Sequence, residues 1–126
     1  MARIEARTDL APAPIAPYSQ AVRIGNIIAI AGQGGVDPAT AMVVSPDVAA
    51  QTVQAFKNIE AVLTSASASL NDVVRVEVYL SDLADFAAMN VEYAKVFTTP
   101  YPARTTVGVQ LPSDLKVEIT VLAVIG

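Results

Sequence analysis

Arg104 is the residue of this 126-residue chain whose setting most invites chemistry. It opens an apolar strand pattern, Arg104 to Val109, directly after Pro102-Ala103. A basic side chain in such surroundings is rarely buried without a partner. The planar guanidinium pairs with carboxylates through two parallel hydrogen bonds. Its partner is then the acid group of a ligand or an internal carboxylate, unless Arg104 simply ends a strand in solvent. Glu118 lies inside Lys116-Val-Glu-Ile-Thr-Val-Leu122, where period-2 alternation puts Lys116, Glu118 and Thr120 on one face. Locally it reads as a solvent-facing strand residue; in a cleft it could orient water or exchange a proton. Arg104, Thr106 and Gly108 share a face of the preceding strand. Whether the two faces coincide depends on register, which the pattern leaves open.

Three further places carry polar groups worth testing. Tyr18 follows Pro17 and reads as a packing residue with a wet hydroxyl. Gly32, Gly34 and Gly35 read as a turn whose backbone N–H groups could cradle an anion. No phosphate-loop Lys follows them, and their spacing is not that of a dinucleotide-binding turn. Asn90 falls on the apolar face of a predicted helix, where a buried amide must find hydrogen-bond partners; locally it reads as a residue tying down a loop.

Composition narrows the chemistry. The chain has no Cys and no His. Thiol nucleophiles, Ser-His triads and zinc sites of Cys and His are therefore excluded. The acids stand mostly singly, so no calcium loop appears and no metal is expected. Net charge is −4, and the eight basic residues are not clustered. Nucleic acid is accordingly not an expected partner. The hydrophobic share is 53% and the mean hydropathy +0.48, high for a small water-soluble monomer. No apolar run approaches the roughly 18 residues of a membrane span. Charged residues interrupt the N-terminus where a secretory signal would be apolar. The reading is a cytoplasmic protein that uses its apolar excess in self-association.

The elements that must position these residues follow from the same pattern. One domain, residues 1–126, is expected. Leu10 to Pro17 is a Pro-rich extended arm. Tyr18 to Ile24 and Ile27 to Ala31 read as a hairpin about Gly25-Asn26. Ser45-Pro46-Asp47 predicts a helix start, with Ser45 as the cap and Pro46 at the first helical position. That helix runs to about Ala66. Asp72 to Leu80 reads as a strand, with Val74, Val76, Val78 and Leu80 alternating against Arg75, Glu77 and Tyr79. Ser81 is predicted to cap a second helix through about Phe97, in which Phe86, Met89, Asn90, Tyr93 and Phe97 recur at helical spacing. Strands over Arg104–Val109 and Lys116–Ala123 close the chain. The order is β-β-α-β-α-β-β, an α+β fold. Two helices cover one face of the sheet, and the other apolar face needs a separate cover, which three sheets meeting in a trimer would supply.

Ala16-Pro-Tyr-Ser-Gln-Ala-Val22, Gly32-Gln33, Asp85-Phe86 with Asn90 and Tyr93, Pro102-Ala-Arg104, and Leu111-Pro-x-Asp-x-Lys-Val-Glu-Ile119 resemble the Rid (YjgF-type) family in order and spacing. The match covers nearly the whole chain. The resemblance implies a chorismate-mutase-like fold with one mainly antiparallel sheet, assembled as a homotrimer with three clefts between subunits. It implies an enamine/imine deaminase that hydrolyses 2-aminoacrylate-like products of pyridoxal-phosphate enzymes to 2-keto acids and ammonia, without metal or organic cofactor. Carried over by motif, Arg104 clamps the substrate carboxylate and Glu118 positions or activates the attacking water. Backbone groups near Thr106 and Gly32 hold the imine nitrogen or the water. Tyr18 lines the cleft from a neighbouring subunit, and Ala31 and Asn90 stand among the residues near substrate. Thr106 replaces the Cys of the deaminase archetype, Ala31 replaces a Ser, and the segment Thr98 to Tyr101 is shorter than usual. Substrate contacts should differ accordingly. Two other functions remain to be weighed: a keto-acid binding module without turnover, and the ribonuclease or translation-inhibitor role attached to this family, which the acidic charge disfavours.

Overall fold

The computed structural model describes all residues, 1–126. Eight strands and two helices run in the order β1 (Ile4–Ala6), β2 (Ala21–Ile24), β3 (Ile27–Gly34), β4 (Val36–Asp37), β5 (Met42–Val43), α1 (Val48–Ser65), β6 (Val73–Leu80), α2 (Phe86–Tyr93), β7 (Ala103–Gly108) and β8 (Val117–Val124). Six strands form one sheet in the order β1-β2-β3-β8-β6-β7, and β4 pairs with β5 alone. All neighbours in the large sheet are antiparallel except β6 and β7. Parallel neighbours need a crossover longer than a turn, and the segment containing α2 supplies it. The α+β architecture read from the sequence, with two helices packed on a mainly antiparallel sheet, is the one found.

Gly25 and Asn26 join β2 to β3 as expected, with Gly25 at φ +58°, where a side chain would strain. Helix α1 starts two residues later than the Ser45 reading. Asp47, not Ser45, is the cap, and its carboxylate accepts from the Ala50 N–H at 3.0 Å. Ser45 instead accepts from the Asp47 N–H at 3.1 Å, so Pro46 lies outside the helix. The helix ends at Ser65, as its pattern indicates. It buries Ala55, Phe56, Ile59, Val62 and Leu63 against Ile28, Ile30, Val76, Val78, Leu80, Ile119 and Val121 of the sheet.

Other expectations are corrected. The second helix is shorter than predicted. Asp82 rather than Ser81 makes the capping bond, to the Ala84 N–H, and a 3₁₀ turn over Leu83–Asp85 precedes α2. Helix α2 ends at Tyr93, and Phe97 packs from the turns beyond it. Val74 does not join the inward row of β6. A register shift between Val73 and Arg75 turns it out, 46% exposed, and Val73 takes the buried place. The glycines from Gly32 do not form a turn. Strand β3 continues to Gly34 through a shift in its pairing with β8 between Ile30 and Gln33. Tyr18 precedes its strand, which begins at Ala21. Strands β1, β4 and β5 have no counterpart in the sequence reading. No helix is long and apolar enough to cross a membrane.

The helices cover one face only. On the other, Ile24, Ile27 and Val107 remain 39%, 49% and 38% exposed. Ile24 and Ile27 stand opposite each other, and Ile27 opposite Val124. Three fully or nearly buried amides lock the loops to the core. Gln51 is the busiest: its Nε2 donates to the carbonyls of Ser45 at 2.8 Å and Asp114 at 3.1 Å, and its Oε1 accepts from the Lys116 N–H at 2.8 Å. Gln51→Ala leaves those three partly buried backbone groups without their partner. It should cost about 2–4 kcal/mol in a urea unfolding measurement.

Candidate functional site

The register of β6 with its two neighbours sorts the candidate residues. Val76 stands opposite Arg104, Val78 opposite Thr106, and Leu80 opposite Gly108. Residues directly opposite in paired strands share a face. Val76, Val78 and Leu80 are wholly buried under the helices, so Arg104 and Thr106 lie on the helix side. Tyr79 stands opposite both Glu118 and Val107. Glu118 is therefore on the open side. Within one chain, the sheet separates the guanidinium from the carboxylate.

Around Arg104 the sheet edge and α2 form a shallow cavity of about 320 Å³, lined by Asn90, Tyr93, Ala94, Tyr101, Pro102 and Arg104. The guanidinium carbon lies 4.6 Å from the centre of the Tyr93 ring and 5.6 Å from that of Phe86. Both distances are in the range of cation–π contact. Arg104 makes no ion pair in the chain: the two present are Arg75–Glu77 and Lys95–Glu92. Three buried side-chain atoms lack a hydrogen-bond partner: Asn90 Oδ1 and Tyr93 Oη, whose residues line this cavity, and Thr106 Oγ1, two residues beyond Arg104 on the same face of β7. Burial pushes the Tyr93 hydroxyl above its ordinary pKa, while the nearby Arg104 charge pulls the other way.

The other group gathers across the sheet. A Cβ on Gly32 would stand 2.8 Å from both Cδ and Oε2 of Glu118, so the carboxylate rests on bare backbone. Ala31 and Gly32 both fall within the pairing shift of β3. Beside Glu118, the Tyr79 hydroxyl donates to Glu77 Oε2 at 2.6 Å. That bond, with burial and the charges of Glu77 and Glu118, raises the Tyr79 pKa against the opposing pull of Arg75. Tyr18 joins neither group; it is half exposed beside the Pro-rich arm.

The predicted residues thus fall into two sets: Arg104, Thr106 and Asn90 on one side, Glu118, Gly32 and Ala31 on the other. Tyr93, Tyr101 and Phe86 were not singled out from the sequence as site residues. Phe86, Asn90 and Tyr93 share one helical stripe, and that spacing next to Pro102-Ala-Arg104 was the available signal.

A model of the endoribonuclease L-PSP family matches residues 8–125. The chain belongs to the endoribonuclease L-PSP family. This is the Rid family that the motifs resemble. Among its L-PSP relatives, a RutC family protein of Pyrococcus abyssi is 50% identical over 117 residues, spanning 92% of each chain. A 2-iminobutanoate/2-iminopropanoate deaminase of Dermatophagoides farinae is 42% identical over 119 residues, spanning 94% of this chain and 93% of its own. The crystal structure of RidA from the Antarctic bacterium Psychrobacter sp. superposes with a TM-score of 0.93 at 44% identity, over 98% of this chain and all of that one.

The unpaired Thr106 hydroxyl on the helix side of β7 gives a test of its own. Thr106→Val keeps the shape and removes a buried group that nothing in the chain satisfies. Thermal unfolding should show stability unchanged or raised, by up to about 1 kcal/mol.

Proposed function

We propose that the protein is an enamine/imine deaminase, converting 2-aminoacrylate-like intermediates to 2-keto acids and ammonia in clefts shared by subunits of a homotrimer. The observation that carries this reading is Arg104: partly buried, stacked on two aromatic rings, and without a carboxylate partner in its own chain. A guanidinium held that way is prepared for the acid group of a small ligand. The deaminase name of the Dermatophagoides relative supports the choice of reaction.

The separation of Arg104 from Glu118 supports a shared cleft. An open sheet face with exposed Ile24, Ile27 and Val107 calls for a cover, and a second copy would bring its Glu118 with it. The chemistry is then modest. Arg104 holds the substrate carboxylate. The enamine takes a proton on its methylene carbon to give the imine. Glu118 of one subunit orients a water and takes a proton as its oxygen adds to the imine carbon. The nitrogen is protonated, the C–N bond breaks, and ammonia leaves a ketone behind. An imine is already electrophilic, so orientation and proton transfer are enough. Asn90 lines the cavity with the guanidinium, Thr106 follows two residues along the same face of β7, and the backbone at Gly32 lies against Glu118. Tyr18, on its exposed arm, is assigned to the wall of a neighbour's cleft.

A second reading, keto-acid binding without turnover, is favoured by the same separation, because Arg104 in one protomer can hold an acid group with no Glu118 nearby. The family name raises RNA cleavage; net charge −4 gives that reading no electrostatic support.

One experiment separates these. A pyridoxal-phosphate dehydratase generates 2-aminoacrylate, and keto-acid release is followed with and without the protein. Acceleration is expected, with kcat/KM down about 100-fold or more in Arg104→Ala and kcat down about 100-fold in Glu118→Gln. Refolding the two inactive variants together should restore about a quarter of the sites, because random mixing pairs an intact Arg104 with an intact neighbouring Glu118 at that frequency. No recovery of activity on mixing would sink the shared cleft; saturable keto-acid binding without acceleration would select the second reading.

Gly32→Ala should act on the same carboxylate. The added methyl collides with the mobile end of Glu118, so folding is little affected and kcat falls. Unchanged kcat would remove Glu118's present position from the mechanism.

A further inference from the structure

The cavity beside α2 contains a large side chain that the proposed reaction does not use. Tyr93 is 5% exposed and sits at the end of α2. Its ring is fixed from two sides. Phe56 meets it edge-on, with centres 5.7 Å apart and planes at 71°, and Phe97 lies 5.2 Å away at 50°. Phe56 and Phe97 in turn meet edge-on at 5.6 Å. Three rings in mutual contact leave little freedom to any one of them. The Arg104 guanidinium carbon lies 4.6 Å from the Tyr93 ring centre, closer than to Phe86, which is 44% exposed and so the looser of the two rings.

Arginine has several rotatable bonds and a strongly directional head. To receive a carboxylate in two parallel bonds, its plane must already be set. No ion pair in the chain sets it, and the approach of the Tyr93 hydroxyl, which draws that group's pKa down against the larger upward push of burial, falls short of a formed hydrogen bond. The immobile ring beneath it is the available restraint, and Phe56 of α1 and Phe97 of the following loop hold that ring in place.

We infer that Tyr93 is a positioning residue, whose locked ring holds the Arg104 guanidinium in the plane that receives a small carboxylate. The consequence for ligands rests on the proposed carboxylate reading; the restraint on Arg104 does not.

The test therefore has two arms. In the ligand-free protein, NMR of the Arg104 side chain should show ring-current-shifted, ordered signals. These persist in Tyr93→Phe and are lost in Tyr93→Met, which keeps bulk and removes the ring. In the second arm, calorimetry follows 2-oxobutanoate binding. Tyr93→Met should weaken it about tenfold, and Tyr93→Phe less than about threefold. In an Arg104→Lys background the Tyr93→Met loss should shrink, since a flexible ammonium has no plane to set. An Arg104 side chain equally ordered without the ring overturns the inference. So does an equal loss of binding in the Arg104→Lys background, which is what general damage to the fold produces. Should Tyr93→Met fail to fold, the wild-type signal decides: free rotation without a ring-current shift overturns it. Ordered Arg104 signals that depend on the ring, together with no 2-oxobutanoate binding by the wild type, uphold the restraint and remove the carboxylate reading instead.

Discussion

Strand β6 pairs with β8 on one side and β7 on the other, and the two registers together decide which side of the sheet each candidate residue occupies. Side chains alternate along a strand, so a shift of one residue would exchange every member of the two faces. The register is strongly determined because Val76, Val78 and Leu80 must lie under the helices with Val117, Ile119 and Val121. Apolar burial thus places Arg104 and Thr106 on the covered side and Glu118 on the open one. The position of these candidate residues is a consequence of core packing, and no separate device is needed to arrange it.

Polar groups elsewhere in the interior are well satisfied. Gln20 ties the N-terminal arm through the carbonyls of Thr8, Ala11 and Pro12. Asn58 holds the carbonyls of Gly34 and Val36 while accepting from Gln54. Gln51 binds two loops to the start of α1. Against that background, the three unpaired buried atoms are conspicuous. Each costs stability if nothing ever meets it. Sequences tend to break local rules where function requires it. Unpaired atoms on Asn90 and Tyr93, which line one cavity with an arginine that has no carboxylate partner, mark that cavity as a place where such a rule is broken.

Much of this was legible in the sequence, and the failures have identifiable causes. The period-2 pattern over Lys116 to Leu122 is a strong signal, and its strand stands where expected. Gly25-Asn26 marked its turn. Val74 was misplaced because an extra residue in β6 reverses the alternation, and periodicity cannot show an insertion. The Gly32 region looked like a turn because its composition is that of a turn; pairing with β8 on one side keeps it extended. Ser45 and Ser81 lost their caps to Asp47 and Asp82, which are equally good acceptors one or two residues on. The three-residue β1 and two-residue β4 and β5 are too short for any period to register. Arg104 and Glu118 were both recognisable as unusual residues. Their separation by the sheet was not, because β6 lies between β7 and β8 although it precedes both in sequence.

The overall charge explains why the environment of one arginine matters so much. At net −4 the chain as a whole repels anions, so it cannot gather small acids by a long-range field. On the proposed reading, capture has to occur at contact distance. There, a strongly hydrated head would hold its water as readily as a ligand. Guanidinium is more weakly hydrated than an ammonium, and the rings of Tyr93 and Phe86, within cation–π distance, take the place of part of its water. A carboxylate meeting its forked edge exchanges water for two directed bonds in a medium of lower dielectric, where the pair is worth more than at the surface. On the proposed carboxylate reading, selectivity for small planar acids follows from the geometry of one side chain and the rings beside it, in a protein whose net charge would otherwise exclude them.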